Sequence, residues 1–178
     1  MVDVVKNPQE LGTQPTAIPR RRQVASIFIL IVEVGFVAWG AMAALAPERL
    51  LGPDSVPILT AGFEGFTKSS WSDLAGASPK TAEFMTVLFR VYGAYNMAFG
   101  LLATAITATA FRRGEGWAWW ALLAGNTIAL GSAMTYDWTV NAIGPFELSE
   151  YLGVALIYGA LAATAPFLPA GRPGRSMG

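Results

Sequence analysis

The chain has 178 residues with 12 basic and 12 acidic side chains, so its formal net charge is zero; 53% of its residues are hydrophobic and only 13% are charged. A soluble domain carries about 25% charged residues, so this composition favours a membrane protein. The chain has no cysteine and no histidine, which excludes disulfides, thiol and imidazole catalysis, and nearly every zinc, copper or haem site made of side chains. The basic residues form short clusters instead of a positive surface, so nucleic acid is not expected as a partner.

The first 23 residues are polar, contain three prolines and end in Arg20, Arg21 and Arg22. We expect a disordered tail with an electrostatic anchor at its end. The apolar run 24–46 follows. As a helix its 23 residues would be about 34 Å long, enough to cross a hydrocarbon core of about 30 Å. This run is predicted to be the first membrane span.

A secretory signal peptide is the alternative for this run, because basic residues precede it and the tripeptide 44–46, Ala-Leu-Ala, resembles a cleavage site. Its length exceeds the apolar region of a signal peptide, which is about 7–15 residues. Glu33 lies at its middle and Pro47 directly follows the cleavage site. These features favour an uncleaved span.

Residues 47–80 form a connector of about 34 residues, much longer than the usual ~2–8 residues between helices of a bundle. We expect it to fold over the outer end of the bundle, with Phe63, Phe66 and Trp71 near the membrane interface. Ser78 and Pro79 are residue types preferred at the N-cap and at the first helical position, so a second span is predicted to begin here and to cover residues 81–111.

A third span is predicted over residues 116–137, because Arg112 and Arg113 end the second span and only a tight glycine-containing turn follows. So short a turn joins antiparallel neighbours. Aromatic residues lie at both ends of the third span and predict belts at the two interfaces: Trp117, Trp119 and Trp120, then Tyr136 and Trp138. Residues 147–168 form the predicted fourth span, and residues 169–178 a second polar tail.

These segments predict an all-α integral membrane four-helix bundle, residues 24–168, with both termini on one side and a long extracytoplasmic connector between the first two spans. Basic residues on the side of the termini number eight against three on the other side. This asymmetry predicts cytoplasmic termini and a location in the inner (plasma) membrane. The eight are Lys6, Arg20, Arg21, Arg22, Arg112, Arg113, Arg172 and Arg175, and the three are Arg49, Lys68 and Lys80.

Polar residues within the spans fall into two layers when depth is counted at about 1.5 Å per residue. Glu33, Asn126 and Tyr158 each lie about 15 Å from the cytoplasmic edge, near the midplane. An unpaired carboxylate there costs several kcal/mol, so we expect Glu33 to point inward, to be largely neutral and to bond to Asn126 or Tyr158. Asn96 belongs to a small, polar face of the second span, and these four residues form the candidate polar core.

The second layer lies about 30 Å from the cytoplasmic edge and contains Arg90. Asp137, Glu147 and Glu150 lie at a similar depth, so an outer ion-pair network of Arg90 with these acids is predicted. The alternative is that Arg90 extends into the headgroups, or that the network only fixes the order of the helices.

The run RVYGAYNMAFGLL from Arg90 to Leu102, the long connector and the basic turn before an aromatic third span together resemble small four-helix bacterial membrane proteins of the DoxX-like type and related families of unknown function. The resemblance is strongest over residues 84–137. It implies a four-helix bundle in the inner membrane and, for some members, association with quinone or respiratory partners. It implies no catalytic residue.

Three functions are compatible with these observations. The first is an accessory or structural membrane protein without chemistry of its own, whose partners are the lipid bilayer and either further copies of itself or another membrane protein. The second is binding or transport of a small lipophilic molecule or a proton within the bundle, lined by the candidate polar core. The third, an intramembrane enzyme, has the least support, because the chain has no nucleophile elbow, phosphate-binding loop, dinucleotide turn or acidic metal motif. No catalytic residue, cofactor or metal is predicted, although a cation bound by carboxylates alone stays open.

Overall fold

The computed structural model describes residues 19–51, 60–141 and 145–165, and it describes side chains for residues 19–51, 62–141 and 148–165. Every regular element in these ranges is a helix. The first 18 residues of the predicted tail 1–23, the predicted tail 169–178 and the last residues of the predicted fourth span lie outside the described residues. Residues 20–23 of the predicted tail are helical, because α1 already begins at Arg20. The helices are α1 (Arg20–Leu45), α2 (Glu48–Leu51), α3 (Thr60–Thr67), α4 (Trp71–Ala77), α5 (Pro79–Ile106), α6 (Gly116–Val140) and α7 (Pro145–Ala163).

Two of these helices are long and apolar enough to cross a membrane: α1, and α5 together with the π-helical turn Thr107–Phe111 that continues it. The other two predicted spans do not meet the same test. α6 has 25 residues but contains four tryptophans, Asn126 and several small polar residues, which lower its hydropathy. The apolar part of α7 within the described side chains, Leu148–Ala163, is shorter. The all-helical class is therefore shown, whereas a bundle of four membrane spans stays a prediction.

α1 and α5 are antiparallel, and their backbones are in direct contact through glycines. A Cβ atom added to Gly100 would lie 2.9 Å from the carbonyl oxygen of Glu33 and from the amide nitrogen of Val37. One added to Gly93 would lie 2.5 Å from the amide nitrogen of Ala44. Only glycine allows this approach, which is typical of helix pairs in membranes.

α6 and α7 complete the core. The apolar core contains Ile29 of α1, Leu122 of α6, and Ile157 and Leu161 of α7, all at most 2% exposed. The indole nitrogen of Trp119 donates a buried hydrogen bond of 2.8 Å to the carbonyl oxygen of Leu161. This bond joins the first turns of α6 to the last turns of α7.

Most of the described residues of the connector lie in the short helices α2, α3 and α4. Ser70 and Asp73 form a capping box at the start of α4, in which each side chain accepts a backbone N–H of the other residue, so α4 has a defined first turn. Phe63 of α3 packs edge-on against Trp71, with ring centroids 5.5 Å apart, and α3 lies against the last turn of α6. Pro79 is the first residue of α5, as predicted.

The opposite end of the bundle collects the start of α1 and the turn between α5 and α6. This turn contains Gly114 at φ +85°, a backbone conformation that favours glycine. The guanidinium of Arg22 lies directly against Gly114. The basic clusters 20–22 and 112–113 therefore share one end of the bundle.

Candidate functional site

Glu33 lies on the buried stripe of α1. The buried residues of that helix include Ser26, Ile29, Glu33 and Gly40, whose spacing of three, four and seven places them on one helical face. Ile31 and Val34 lie on the other face and are 60% and 55% exposed. Glu33 is therefore turned inward, and its side chain is completely buried.

Asn126 of α6 meets Glu33 at this position. Its amide nitrogen donates a hydrogen bond of 2.9 Å to Oε1 of Glu33 and a second of 3.0 Å to the carbonyl oxygen of Leu122, one turn earlier in α6. Asn126 is also completely buried. The contact predicted from depth is present, and it joins α1 to α6 across a stretch of 93 residues.

Two buried oxygens of this pair, Oε2 of Glu33 and Oδ1 of Asn126, have no hydrogen-bond partner among the described residues. The buried hydroxyls of Thr104 and Thr107 on α5 and its π-helical turn have none either. A buried polar atom without a partner costs about 1–3 kcal/mol. Thr104 and Thr107 lie four and seven residues after Gly100, so they share the face that touches α1 beside Glu33. Buried oxygens without partners are therefore found both at the Glu33–Asn126 contact and on the face of α5 that packs against α1.

The two threonines differ from the other helical threonines. Six of those, and Thr164 directly after α7, donate their hydroxyl to the carbonyl four residues earlier, which satisfies the donor locally. Thr107 is also the first residue of the π-helical turn, a feature that occurs frequently at functional sites. Nothing in the sequence spacing of Thr104 and Thr107 reveals that these bonds are missing.

Tyr158 and Asn96 have other partners. The hydroxyls of Tyr158 and Thr127 are 2.6 Å apart and join α7 to α6. The amide nitrogen of Asn96 donates to the carbonyl oxygen of Tyr92 in its own helix, at 3.1 Å. Of the four residues in the candidate polar core, the structure links Glu33 and Asn126 directly by a hydrogen bond.

Arg90 pairs with an acid that was not predicted. Its guanidinium lies 3.4 Å from the carboxylate of Glu48 on α2, and both side chains are about half exposed. The depth count considered only the spans, whereas the antiparallel packing of α1 and α5 brings Arg90 beside the chain that leaves α1. An exposed pair of this kind contributes at most about 1 kcal/mol.

The predicted acids lie close to this level. Asp137 is buried, and Asp137 and Glu150 lie near Tyr92, two residues after Arg90. The side chain of Glu147 lies outside the described residues. The outer layer is therefore polar as expected, with Glu48 as a member that the sequence analysis missed.

Glu115 neutralises part of the basic end of the bundle. Its carboxylate accepts hydrogen bonds of 2.6 Å from Arg113 and 2.7 Å from the indole of Trp117. These bonds hold the pKa of Glu115 below its ordinary value. Ser70 lowers the pKa of Asp73 in the same way at the other end, through the capping box.

Within the described ranges, no group of three or more acidic side chains is placed to hold a metal ion. Comparison of the chain with protein-family models, with curated proteins and with solved structures found no match. The resemblance to DoxX-like proteins therefore stays a prediction.

Proposed function

We propose that the chain is a multi-pass protein of the inner membrane with an accessory or structural role, in which α1, α5, α6 and α7 cross the bilayer and both termini lie in the cytoplasm. The bilayer surrounds the bundle, and its partner within the membrane is a further copy of the chain or another membrane protein. The bundle carries out no chemistry of its own.

The exposed apolar surface supports the membrane location. In the most apolar windows of α1 and of α5 with its π-helical turn, only 22% and 28% of the residues are buried, whereas the core helix of a soluble protein is mostly buried. Large apolar side chains are exposed at mid-helix positions on three helices: Ile31 and Val34 of α1, Leu101 and Leu102 of α5, and Ile128 of α6. Soluble monomers rarely expose apolar patches of more than a few hundred Å², so lipid is the fitting surroundings for this surface.

The contacts of α1 argue against a cleaved signal peptide. Gly100 of α5 touches the backbone of α1 at Glu33, and the Glu33 carboxylate accepts a hydrogen bond from Asn126 of α6. Removal of α1 would expose the glycine face of α5 and leave an amide N–H of Asn126 without its acceptor. A helix that completes the core in this way belongs to the mature protein.

One observation carries the structural role: Glu33 and Asn126, whose burial costs free energy, are hydrogen-bonded to each other and completely buried. A groove between α1 and α7 lies elsewhere in the described residues and includes neither Glu33 nor Asn126. A buried polar pair in a packed interface specifies which helices meet and in which register. We infer that Glu33 and Asn126 fix α1 against α6.

The location is tested with an epitope tag at Met1 and a reporter fused after Arg175. We expect both tags in the cytoplasm, and we expect the mature chain to retain the N-terminal tag by mass. An external reporter, or loss of the tag by cleavage after Ala46, would overturn the arrangement.

The unpaired oxygens support a second candidate function, binding or transport of a proton or a small lipophilic molecule within the bundle. A group that donates to or protonates Oε2 of Glu33 would satisfy one of these atoms, and intramembrane acids often mark proton paths. The test is proton flux into vesicles that contain the purified chain, compared between the wild type and Glu33→Gln. A flux that Glu33→Gln abolishes would favour this function over the structural one, and absence of flux in both would exclude proton transport.

A further inference from the structure

A groove of about 540 Å³ lies between the first turns of α1 and the last turns of α7. It exists because all but one of the α7 residues that line it are small: Ala155, Gly159, Ala160 and Ala163. Its volume falls within the range of about 300–1,000 Å³ that small-molecule sites occupy. The site is separate from Glu33 and Asn126.

The two ends of the groove differ in chemistry. Arg20 and Arg21 lie at its mouth, and both are exposed. The remaining wall is apolar, with Val24 and Phe28 of α1 opposite Leu156 of α7. Among the described residues that line the groove none is acidic, and the first turn of α1 has no acidic residue either. One positive end and one long apolar end match an amphiphile with an anionic head.

We propose that this groove binds an anionic phospholipid, with the phosphate at Arg20 and Arg21 and an acyl chain along Val24 and Phe28. This inference rests on the proposed membrane location, in which the arginines lie at the cytoplasmic headgroup level. Basic pockets between membrane helices on that side bind anionic headgroups. Arginine holds a phosphate through two parallel N–H bonds, which adds geometry to the charge.

The length of the groove argues for lipid against a partner helix. From Arg20 to Phe28 it extends about 12 Å along α1, whereas a helix that crosses the hydrocarbon core needs about 30 Å of partner surface. The tail after α7 is disfavoured by charge, because it carries Arg172 and Arg175 and would meet Arg20 and Arg21. An acyl chain beside its anionic headgroup fits both the short length of the groove and the positive charge at its end.

The experiment uses the full chain in detergent micelles and native mass spectrometry with added phosphatidylglycerol or phosphatidylcholine of identical acyl chains. We expect the wild type to retain phosphatidylglycerol preferentially. The double variant Arg20→Gln/Arg21→Gln should bind it about thirty-fold more weakly, because each basic residue near a membrane surface contributes about five- to six-fold. The matched control Arg112→Gln/Arg113→Gln removes the same charge at the same end of the bundle but outside the groove, and should keep most of the preference.

A second pair of variants tests the apolar part of the groove. An added Cβ at Gly159 or at Gly131 meets no atom within 4 Å, so both positions accept a larger side chain. Gly159→Phe fills the groove and should abolish retention of phosphatidylglycerol, whereas Gly131→Phe on α6 should not change it. Inorganic phosphate serves as a headgroup alone, and its binding should not respond to Gly159→Phe.

Equal retention of both lipids by the wild type would overturn the proposal. So would unchanged binding in Arg20→Gln/Arg21→Gln or in Gly159→Phe. If the tagged chain is in the membrane with cytoplasmic termini but shows no lipid preference, the groove assignment alone is wrong. If the chain is recovered outside the membrane, the proposed location is wrong and the lipid site with it.

Discussion

Replacement of Glu33 by alanine or by glutamine distinguishes two roles of this residue. In one, Glu33 only holds α1 against α6; in the other, its function needs the ionisable carboxyl group. Alanine removes a completely buried side chain and deprives the Asn126 amide of one acceptor, although the bond to the carbonyl oxygen of Leu122 remains. An unpaired buried N–H costs about 1–3 kcal/mol. The space left by a large-to-small change in a core adds roughly 2 kcal/mol or more. We therefore expect Glu33→Ala to destabilise the bundle by about 3–5 kcal/mol.

Glutamine has nearly the same shape as glutamate and differs in that an amide NH2 donor replaces one carboxylate oxygen. Its carbonyl oxygen can accept from Asn126 as Oε1 of Glu33 does, and its amide offers a donor where Oε2 now has no partner. Oδ1 of Asn126, also without a partner, is an acceptor for that donor. We expect Glu33→Gln to be as stable as the wild type or more stable by up to about 1 kcal/mol.

The assay is reversible unfolding of the full chain in mixed detergent micelles, followed by the near-ultraviolet signal of the tryptophans. Val34→Ala, at the adjacent exposed position, is the control and should change stability by no more than about 0.5 kcal/mol. If Glu33→Gln destabilised the bundle as strongly as Glu33→Ala, the negative charge itself would be needed and the structural explanation would be wrong. If Glu33→Ala left the stability of the bundle unchanged, the structural role of Glu33 would be refuted.

Three other predictions follow from single contacts. Gly100→Ala places a Cβ against the α1 backbone and should cost about 1–3 kcal/mol in the same unfolding assay, whereas Gly131→Ala, which has open space, should cost nothing; equal effects would contradict the close approach. Trp119→Phe loses the bond to the Leu161 carbonyl and should cost about 1 kcal/mol, and an unchanged stability would show that the bond is not formed. Arg113→Gln should raise the pKa of Glu115 toward its ordinary value, measured by NMR titration of a carboxyl-labelled chain. Arg113 and Trp117 lower the folded-state pKa of Glu115. The ionised carboxylate therefore stabilises the fold above the ordinary pKa, and this stabilisation is lost as pH falls through the lowered value. If Arg113→Gln left the pKa of Glu115 the same as in the wild type, the pair with Arg113 would be excluded.

The local features of this chain could be read from its residues. The structure begins α5 at Pro79 and ends its π-helical turn at Phe111, close to the predicted limits of 81 and 111. Helix ends depend on prolines, glycines and caps within a few residues, so they are visible in a short window. The depth of a residue along a straight helix follows from counting, because each residue adds about 1.5 Å. For this reason Asn126 could be identified as a partner of Glu33.

Counting along helices failed where lateral position matters. Tyr158 has the same depth as Glu33, yet its hydroxyl is 2.6 Å from that of Thr127. The count along the spans also missed Glu48 as a partner of Arg90, because Glu48 lies on the short helix α2 outside the predicted spans. The sequence also contained no sign that the hydroxyls of Thr104 and Thr107 have no hydrogen-bond partner among the described residues.

By itself, the sequence determined where the four long helices lie and how far along each helix a polar group is placed, because these properties depend on the period and rise of a single helix. It did not reveal the short helices α2, α3 and α4 of the connector. Only the tertiary structure decided which groups touch. The rotation of each helix and its choice of neighbour depend on how closely two backbones can approach, and here that approach is set by Gly93 and Gly100 against α1. These contacts join residues more than 40 positions apart, beyond the reach of any local pattern.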